Sequence, residues 1–255
     1  AEIEGLVSQG VREVTLVGQN VNSYRWAGTG FPRLLRQVCR VIGLERVRFI
    51  TSHPKDLGQE LLEAMAGEPS ACEHLHLPLQ SGSDRVLIMM NRGYTAAEYL
   101  AKARMARSLV PGLSLTTDVI AGFPGETEDE FRMTMEVMEE AGFDEAFTYK
   151  YSPRQGTAAG DLPGQVPDDA RQERLERLIA LRQKLALSSN LRMAGQTVEV
   201  MVEGPSRHGQ GQHFGRTRGN KPAAFGSERA LKPGELVRVL IEQTTTATLR
   251  GRAVN

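Results

Sequence analysis

The stretch DVIAGFPGETEDEF, Asp118–Phe131, decides the fold because it joins a strand to a helix through a short turn. It overlaps the end of the run LSLTTDVIA, Leu113–Ala121, whose β-branched and apolar residues favour a buried strand. Thr127 and Glu130 have the spacing of a capping box, in which each side chain binds a backbone N–H at a helix start. The sequence therefore predicts a strand, a turn and a helix in immediate succession.

The turn itself contains Gly122, Pro124 and Gly125. Glycine lets a backbone come close to another group, and turns at the carboxyl ends of parallel strands are where α/β folds bind small molecules. A short glycine-rich turn is also compatible with a plain strand–helix connection. The loops after the other strands therefore decide between these interpretations.

Strands and helices alternate along the first three quarters of the chain. Strands are predicted at Val11–Gly18, Glu45–Ile50, His74–Leu79, Leu113–Ala121 and Phe143–Tyr151. Each strand ends in a polar loop that contains Gly, Pro or both, and these loops are GQNVN, TSHP, QSGSD, GFPGE and YSPRQGT. This alternation predicts a parallel sheet with right-handed crossovers, whose loops meet on one face. Such convergence favours a ligand or catalytic site on that face.

The pattern changes after a long amphipathic helix predicted over Asp168–Gly195. Short segments with period-two alternation and Gly turns then favour a small antiparallel barrel of the oligonucleotide-binding type. The predicted domains are residues 1–194 and 195–255. The second has nine basic and five acidic residues, against 22 and 26 in the first, so a polyanion is its expected partner.

Side chains suited to RNA are present in this second domain. The basic candidates are Arg207, His208, Arg216, Arg218, Lys221, Arg229 and Arg250. Phe214 and Phe225 are candidates for stacking on bases, although each also suits the core of a small barrel.

The composition is that of an ordinary soluble globular protein, with 40% hydrophobic and 24% charged residues and a formal net charge of zero. No apolar run is long enough to cross a bilayer and no signal peptide is evident, which favours a cytoplasmic protein without membrane association. Cys39 and Cys72 lack metal-ligand spacing and are expected to be buried thiols, so no metal site is expected in this chain.

Several motifs occur in an order that resembles the radical S-adenosylmethionine (SAM) methylthiotransferases. They are GQNVNSY, HLPLQSGSDRVL, MNRGYT, VIAGFPGETEDEF and YSPRQGT. The last sixty or so residues are similar to the TRAM domain of that family, a small RNA-binding barrel. The resemblance implies an α/β fold, a partial (β/α)6 barrel with strands two to six and the first strand missing, followed by the TRAM barrel.

The resemblance also implies an activity. GQNVNSY is most similar to the branch that adds a 2-methylthio group to N6-isopentenyladenosine at tRNA position 37, next to the anticodon. The implied cofactors are SAM and two [4Fe–4S] clusters, one of them held by a CxxxCxxC loop. Because that loop is absent, we expect the chain to be a C-terminal portion, inactive alone. The implied partners are the tRNA anticodon arm and an electron donor such as flavodoxin or ferredoxin, with the protein a monomer.

The resemblance implies site residues at the strand ends. Gln19 and Asn20 would approach the methionine end of SAM or the substrate, Gln80 and Ser81 the ribose, and Ile120 and Gly122 the adenine. The remaining candidates are Glu126, which also suits a helix N-terminus, Tyr151 for cofactor, and Ser152 and Arg154 for substrate. His53 is either a site residue or structural, and Asp118 is expected to face the barrel interior.

Other functions remain open at this point. A sister methylthiotransferase would act on threonylcarbamoyladenosine in tRNA or on an aspartate of a ribosomal protein. A non-catalytic RNA-binding module is the alternative outside enzymes. An ordinary phosphate-binding barrel enzyme is disfavoured, because the acidic GETEDE turn would repel an anion.

Overall fold

The computed structural model describes residues 1–154, 156–207 and 211–254. The first part contains α1 (Glu2–Ser8), β1 (Glu13–Val17), β2 (Arg25–Trp26), β3 (Thr29–Gly30), α2 (Phe31–Cys39), β4 (Arg46–Ile50), α3 (Gln59–Gly67), β5 (His74–His76), α4 (Asp84–Met89), α5 (Ala96–Leu109), β6 (Ser114–Ala121), α6 (Glu128–Ala141), β7 (Glu145–Lys150) and α7 (Asp168–Leu191). The second contains β8 (Thr197–Pro205), β9 (Gln212–Thr217), β10 (Pro222–Gly226), β11 (Leu236–Thr244) and β12 (Leu249–Val254).

The five predicted strands of the first part run parallel in the order β1-β4-β5-β6-β7. The ladder between β4 and β5 is reduced to a bridge between Val47 and Ala71 and a 3.2 Å hydrogen bond from the Ser52 N–H to the His76 carbonyl. We call this open parallel sheet the half barrel. Its architecture confirms the predicted α/β fold.

The main core lies between the half barrel and the helices on its outer face. Leu35 of α2, Leu62 of α3, Tyr99 of α5, Phe131 of α6 and Leu178 of α7 are fully buried there. These residues carry the apolar stripe of each helix, so packing on the sheet fixes how the strands curve. The inner face of the sheet is left to more polar residues.

The predicted helix start in the central stretch is confirmed. Thr127 and Glu130 form a complete capping box, and so do Thr95 and Glu98 at α5. Glu130 also receives the guanidinium of Arg85, whose hydrogen bonds lower the pKa of this carboxyl to about 2. The cap of α6 is therefore tied to α4 as well as to its own backbone.

The structure differs from the prediction at several short elements. The hairpin of β2 and β3 was not predicted; its two-residue turn uses positive φ at Ala27 (46°) and Gly28 (77°). Strand β5 ends at His76, three residues before the predicted Leu79. Two-residue strands and strand ends carry too little pattern to be read from sequence.

The second part is a closed five-stranded barrel of order β10-β12-β11-β8-β9, in which β9 and β10 close the ring. β10 and β12 pair in parallel, and the other four ladders between the described strands of the ring are antiparallel. Its core includes Val200, Val239, Ile241 and Phe225. Phe225 is fully buried, so it is a core residue rather than a stacking platform. We call this part the C-terminal barrel.

Buried arginines of β4 join the two parts. Arg46 donates to the Glu199 carboxylate at 2.8 Å and to the Arg216 carbonyl at 2.8 Å. Arg48 donates to the carbonyls of Thr217 and Arg218 at 2.8 and 2.7 Å. Because a buried guanidinium needs several acceptors, these bonds hold the turn between β9 and β10 against the half barrel.

None of the helices in the described ranges combines the length and the apolar character needed to cross a membrane.

Candidate active site

The inner face of the half barrel borders a cavity of about 700 Å³. Alternate residues of the strands point into it, as the period of a β-strand requires. They are Ile50 of β4, His74 and His76 of β5, Ser114, Thr116 and Asp118 of β6, and Glu145, Phe147 and Tyr149 of β7. The C-terminal barrel supplies the opposite wall, including Asn220, Pro222 and Ala247. The expected orientation of Asp118 is therefore observed.

Hydrogen bonds connect the polar residues of this cavity. The Thr116 hydroxyl lies 3.2 Å from His74 Nε2 and 3.0 Å from His76 Nδ1. Because a hydroxyl has one proton, Thr116 donates to one imidazole and accepts from the other. His76 Nε2 lies 3.3 Å from the carboxylate of Asp118. These bonds orient the side chain of Asp118 in the wall of the cavity.

His74 is held neutral in this arrangement. Burial lowers the pKa of His74 to about 3, and the positive charge of Arg48 acts in the same direction. A neutral His74 can accept as well as donate a hydrogen bond, which the bond to Thr116 uses.

Apolar side chains of the cavity are unusually exposed. Ile50, Phe147 and Tyr149 are 37%, 49% and 51% exposed. The Phe147 ring lies edge-on to His76 at 5.9 Å. Large apolar groups facing a cavity rather than a core mark a binding surface.

Buried polar atoms without partners lie above this layer, at the ends of β5 and β7. Gln80 is buried, has φ of 69° and leaves its side-chain Oε1 without a hydrogen bond. The hydroxyl of Tyr151 is likewise buried and unpaired, with its ring 5.3 Å from Phe123. A left-handed backbone and unpaired buried polar atoms are costly, and they concentrate at ligand sites.

Between these two strand ends, Ile120 accompanies the Gly122 turn. The backbone N–H of Ile120 donates to the Gln80 carbonyl at 3.0 Å, which ties the two loops together. Gly122 has φ of 76° and the side chain of Arg171 lies over it, so a Cβ there would be both strained and obstructed.

The acid of the central stretch is turned away from the cavity. Glu126 is buried, and its Oε2 accepts from the Gly122 N–H at 2.7 Å and from Arg174 at 2.9 Å. Burial raises the pKa of this carboxyl, while the bonds from Gly122 and Arg174 oppose that effect. Glu126 therefore shapes the turn at Gly122 through Oε2, while its other oxygen, Oε1, is buried without a hydrogen bond.

Ser81, expected near a ribose, is fully buried against helix α6. Its hydroxyl lies 3.3 Å from that of Thr134 and accepts from the Ser83 N–H at 3.2 Å. A Cβ at neighbouring Gly82 would lie 2.5 Å from the Met133 carbonyl. The backbone of the QSGS loop thus packs closely against helix α6. Within this loop the side-chain oxygen without a hydrogen bond belongs to Gln80 and not to Ser81.

Gln19 and Asn20 are exposed after β1. Asn22 of the same motif is buried, and its side-chain amide makes two hydrogen bonds to the backbone of His53, at 2.8 and 2.9 Å. The ring of His53 accepts from the Lys55 N–H and lies edge-on to Tyr94. These contacts give His53 a structural position between two strand ends.

Ser152 and Arg154 are exposed beyond β7. Among the basic candidates of the C-terminal barrel, Arg207 and Arg250 are exposed, whereas Arg216 is half-buried beside Glu203. His208 lies outside the described residues.

Two of those basic candidates, Arg218 and Lys221, form ion pairs and hydrogen bonds at the domain interface. Arg218 makes a bidentate pair with Glu73 at 2.7 and 2.8 Å. Lys221 lies 2.8 Å from both Ser189 and Asn190 and 3.3 Å from Asp144. In this structure their charges serve the interface, which corrects the expectation that both face RNA.

A continuous surface remains for nucleic acid. Phe214, Ala224 and Arg250 are paired across β9, β10 and β12, which places them in one outward-facing row. Together with Arg207 they line a groove of about 470 Å³. An aromatic ring in a groove that is also lined by guanidinium groups suits a stacked base and its phosphates. We call Arg207, Phe214, Ala224 and Arg250 the barrel groove.

The residues present fit some expected cofactors and not others. The unpaired Gln80 oxygen, the Tyr151 hydroxyl and the Gly122 turn suit a small polar ligand such as SAM. Cys39 and Cys72 are both buried, and burial raises the pKa of Cys39 to about 12. Within the described ranges no group of His, Cys, Asp or Glu could hold a metal ion, so these residues do not fit an iron–sulfur cluster.

The inner-face network of His74, His76 and Thr116 was not predicted from the sequence. A signal was present, since His74 and His76 alternate with an apolar residue on one predicted strand, and Ser114, Thr116 and Asp118 occupy alternate positions of the next. It is weaker than the signal of the polar loops after the strands. The buried arginines of β4 had no comparable signal, because their acceptors lie more than 150 residues away in sequence.

Both parts of the chain match known protein families. Residues 1–138 match the Radical SAM superfamily and residues 191–254 match the TRAM domain. Curated relatives include tRNA-2-methylthio-N(6)-dimethylallyladenosine synthases of Moorella thermoacetica, 48% identical over 100% of this chain, and of Bacteroides thetaiotaomicron, 45% identical over 99%. The chain spans 58% and 57% of their lengths.

A solved structure with the same fold is the radical SAM enzyme coproporphyrinogen III oxidase (HemN) from Escherichia coli. The TM-score is 0.58 at 14% identity, over 88% of this chain and 58% of that one. On these matches and on its half barrel of parallel strands, the chain belongs to the radical SAM superfamily.

Proposed function

We propose that this chain is the C-terminal portion of a tRNA methylthiotransferase. The substrate would be N6-isopentenyladenosine at position 37, the nucleoside that the names of its relatives call N(6)-dimethylallyladenosine. The observation that carries the proposal is the shared cavity: its walls come from both the half barrel and an RNA-type barrel. A base attached to RNA on one side would thereby face the strand ends on the other.

SAM is the proposed cofactor, and it would supply an abstracting radical and a methyl group. Gln80 would bind a hydroxyl of its ribose, the backbone of Ile120 and Gly122 would face its adenine, and Tyr151 would donate a hydrogen bond. Ser81 and Glu126 would act as positioning residues, through the QSGS loop and the Gly122 turn. Gln19 and Asn20, exposed after β1, remain candidates for its methionine end or the substrate.

The two [4Fe–4S] clusters proposed for the whole enzyme need cysteines that this chain does not contain. Their ligands would belong to the part of the relatives that the chain does not span. No step of the reaction is assigned to Cys39 or Cys72, and the 255 residues alone are proposed to be inactive. An electron donor such as flavodoxin or ferredoxin, a monomeric state and a cytoplasmic location complete the proposal.

The barrel groove is the proposed contact for the anticodon arm. Its arginines would neutralise phosphates, and Phe214 would stack on an unpaired base. Ser152 and Arg154 would contact the substrate from the loop after β7. Arg216 is half-buried at the cavity wall. Its positive charge would attract the RNA electrostatically without contacting a phosphate directly.

The RNA part of the proposal is tested by binding of a labelled anticodon-arm RNA to this chain at increasing salt. The logarithm of affinity should fall linearly with the logarithm of salt concentration. Arg250→Ala should weaken binding and reduce that slope by about one. Arg104→Ala is the matched control, because Arg104 of α5 forms an exposed ion pair with Glu140 of α6. Salt-independent binding, or equal effects of the two substitutions, would contradict the proposed interface.

A further inference from the structure

We propose that the cavity of the half barrel binds the modified base itself: Ile50, Phe147 and Tyr149 contact the dimethylallyl group, and Asp118 accepts the N6–H. The proposal rests on the proposed function and adds a substrate subsite to it. It assigns a role to side chains that the strand-end site does not use.

The apolar half of this subsite is defined by exposure and register. Phe147 and Tyr149 are neighbours on one face of β7, and both remain about half exposed in the cavity. Ile50 faces them from β4. A core would have buried these groups, so their exposure leaves apolar area for a ligand to cover.

The polar half is Asp118. Its side chain is 26% exposed and is oriented by His76 at 3.3 Å, so the carboxylate can accept a further hydrogen bond. Asp118 is also the residue of β6 that pairs with Phe147 of β7. Neighbouring strands are about 4.8 Å apart, so an acceptor and an apolar ring stand side by side.

N6-dimethylallyladenine has the matching pattern. Its N6 atom carries one hydrogen and one five-carbon apolar group, so the donor and the apolar group diverge from a single atom. A carboxylate beside an aromatic ring satisfies both at once. Unmodified adenine would satisfy Asp118 and leave the apolar surface in water.

The cavity also has the size and position that such a ligand requires. Its volume of about 700 Å³ is within the range of small-molecule sites. Asp118 lies two residues before Ile120 on the same face of β6, which is about 6.6 Å along the strand. A base in the cavity would therefore lie directly beneath the proposed SAM site. To enter, the nucleotide would have to leave its stack in the RNA loop.

The experiment compares two anticodon-arm RNAs, one with N6-isopentenyladenosine and one with adenosine at the modification position, in binding to this chain. Each buried methylene contributes about fourfold to affinity, so partial burial of five carbons should favour the prenylated RNA by about tenfold or more.

Substitutions separate the two halves of the subsite. Phe147→Ser should reduce the preference for prenylated RNA to about twofold, and Phe147→Leu should retain most of it. Asp118→Asn should weaken both RNAs by about tenfold without changing their ratio, because both carry an N6–H. Ile88→Ser is the matched control, since Ile88 is 76% exposed on α4 and away from the cavity.

Each outcome decides between the proposals. Equal affinity for the two RNAs, or a preference that survives Phe147→Ser, would overturn the subsite. The proposed function would still stand if Arg250→Ala weakened both RNAs. Absence of binding to either RNA would contradict the subsite and the proposed function together.

Discussion

The carboxylate of Glu126 accepts a 2.7 Å hydrogen bond from the backbone N–H of Gly122, four residues earlier. The same oxygen accepts from Arg174 of α7 at 2.9 Å. The shape of the turn after β6 is thus set by a buried ion pair that reaches to the last helix of the half barrel. A glycine-rich turn that would otherwise be adaptable is held in one conformation.

The first prediction concerns this pair. Glu126→Gln keeps the size of the side chain but removes the buried charge partner of Arg174, whose guanidinium then retains only the half-exposed carboxylate of Glu128 at 3.3 Å. Breaking a buried pair in this way should lower the free energy of unfolding by about 3 kcal/mol. Chemical denaturation of the chain measures the change.

The matched control for that prediction is Glu139→Gln. Glu139 of α6 pairs with Lys184 of α7 at 3.1 Å but its side chain is 51% exposed, so its loss should cost less than about 1 kcal/mol. If the two substitutions destabilise the chain equally, the buried pair does not hold the turn as described.

A second prediction concerns acid sensitivity. His74 has a pKa lowered to about 3 by burial, against an ordinary value of 6.5, so the unfolded chain binds one more proton between these values. Its contribution to stability is therefore present above the ordinary pKa and is lost as pH falls toward 3.

The free energy of unfolding of the native chain should accordingly fall more steeply below pH 6 than that of His74→Gln, by about 1.4 kcal/mol per pH unit. Carboxylates with lowered pKa values, such as Glu130 and Asp144, also reduce stability as pH falls, but at lower pH. Both proteins contain them, so their contribution cancels in the difference between the two pH profiles. Parallel pH profiles would show that His74 is not held neutral.

A third prediction concerns the domain interface. Burial lowers the pKa of Lys221, yet its ammonium is held by Asp144, Ser189 and Asn190. Lys221→Met leaves the buried Asp144 without this partner and should cost about 3 kcal/mol in thermal or chemical unfolding. Lys232→Met, at an exposed position of the same barrel, should change stability by less than about 0.5 kcal/mol. If Lys221→Met left the free energy of unfolding unchanged, the described interface would be contradicted.

The sequence predicted the fold well where local signals agree with packing. The capping box at Thr127 and the five parallel strands were found as expected. Their patterns are short-range, so they do not depend on partners distant in sequence. The small hairpin around Ala27 and Gly28 was overlooked because two-residue strands have no periodicity.

The site was less accessible from sequence. The strand-end loops were identified, but packing decides which side chain of a loop faces the site. Ser81 packs against helix α6, whereas the side-chain oxygen of Gln80 has no hydrogen bond. Arg218 and Lys221 illustrate the same limit. A basic residue on a predicted barrel suggests RNA, and only the arrangement of the domains reveals a buried acid opposite it.

The most direct measurement for the proposed function is mass spectrometry of nucleosides from the bulk tRNA of a strain lacking the gene. We predict that N6-isopentenyladenosine accumulates without its 2-methylthio group, and that the gene restores the group. Persistence of the 2-methylthio group on that nucleoside would contradict the proposed function, and its loss from threonylcarbamoyladenosine instead would identify a sister enzyme.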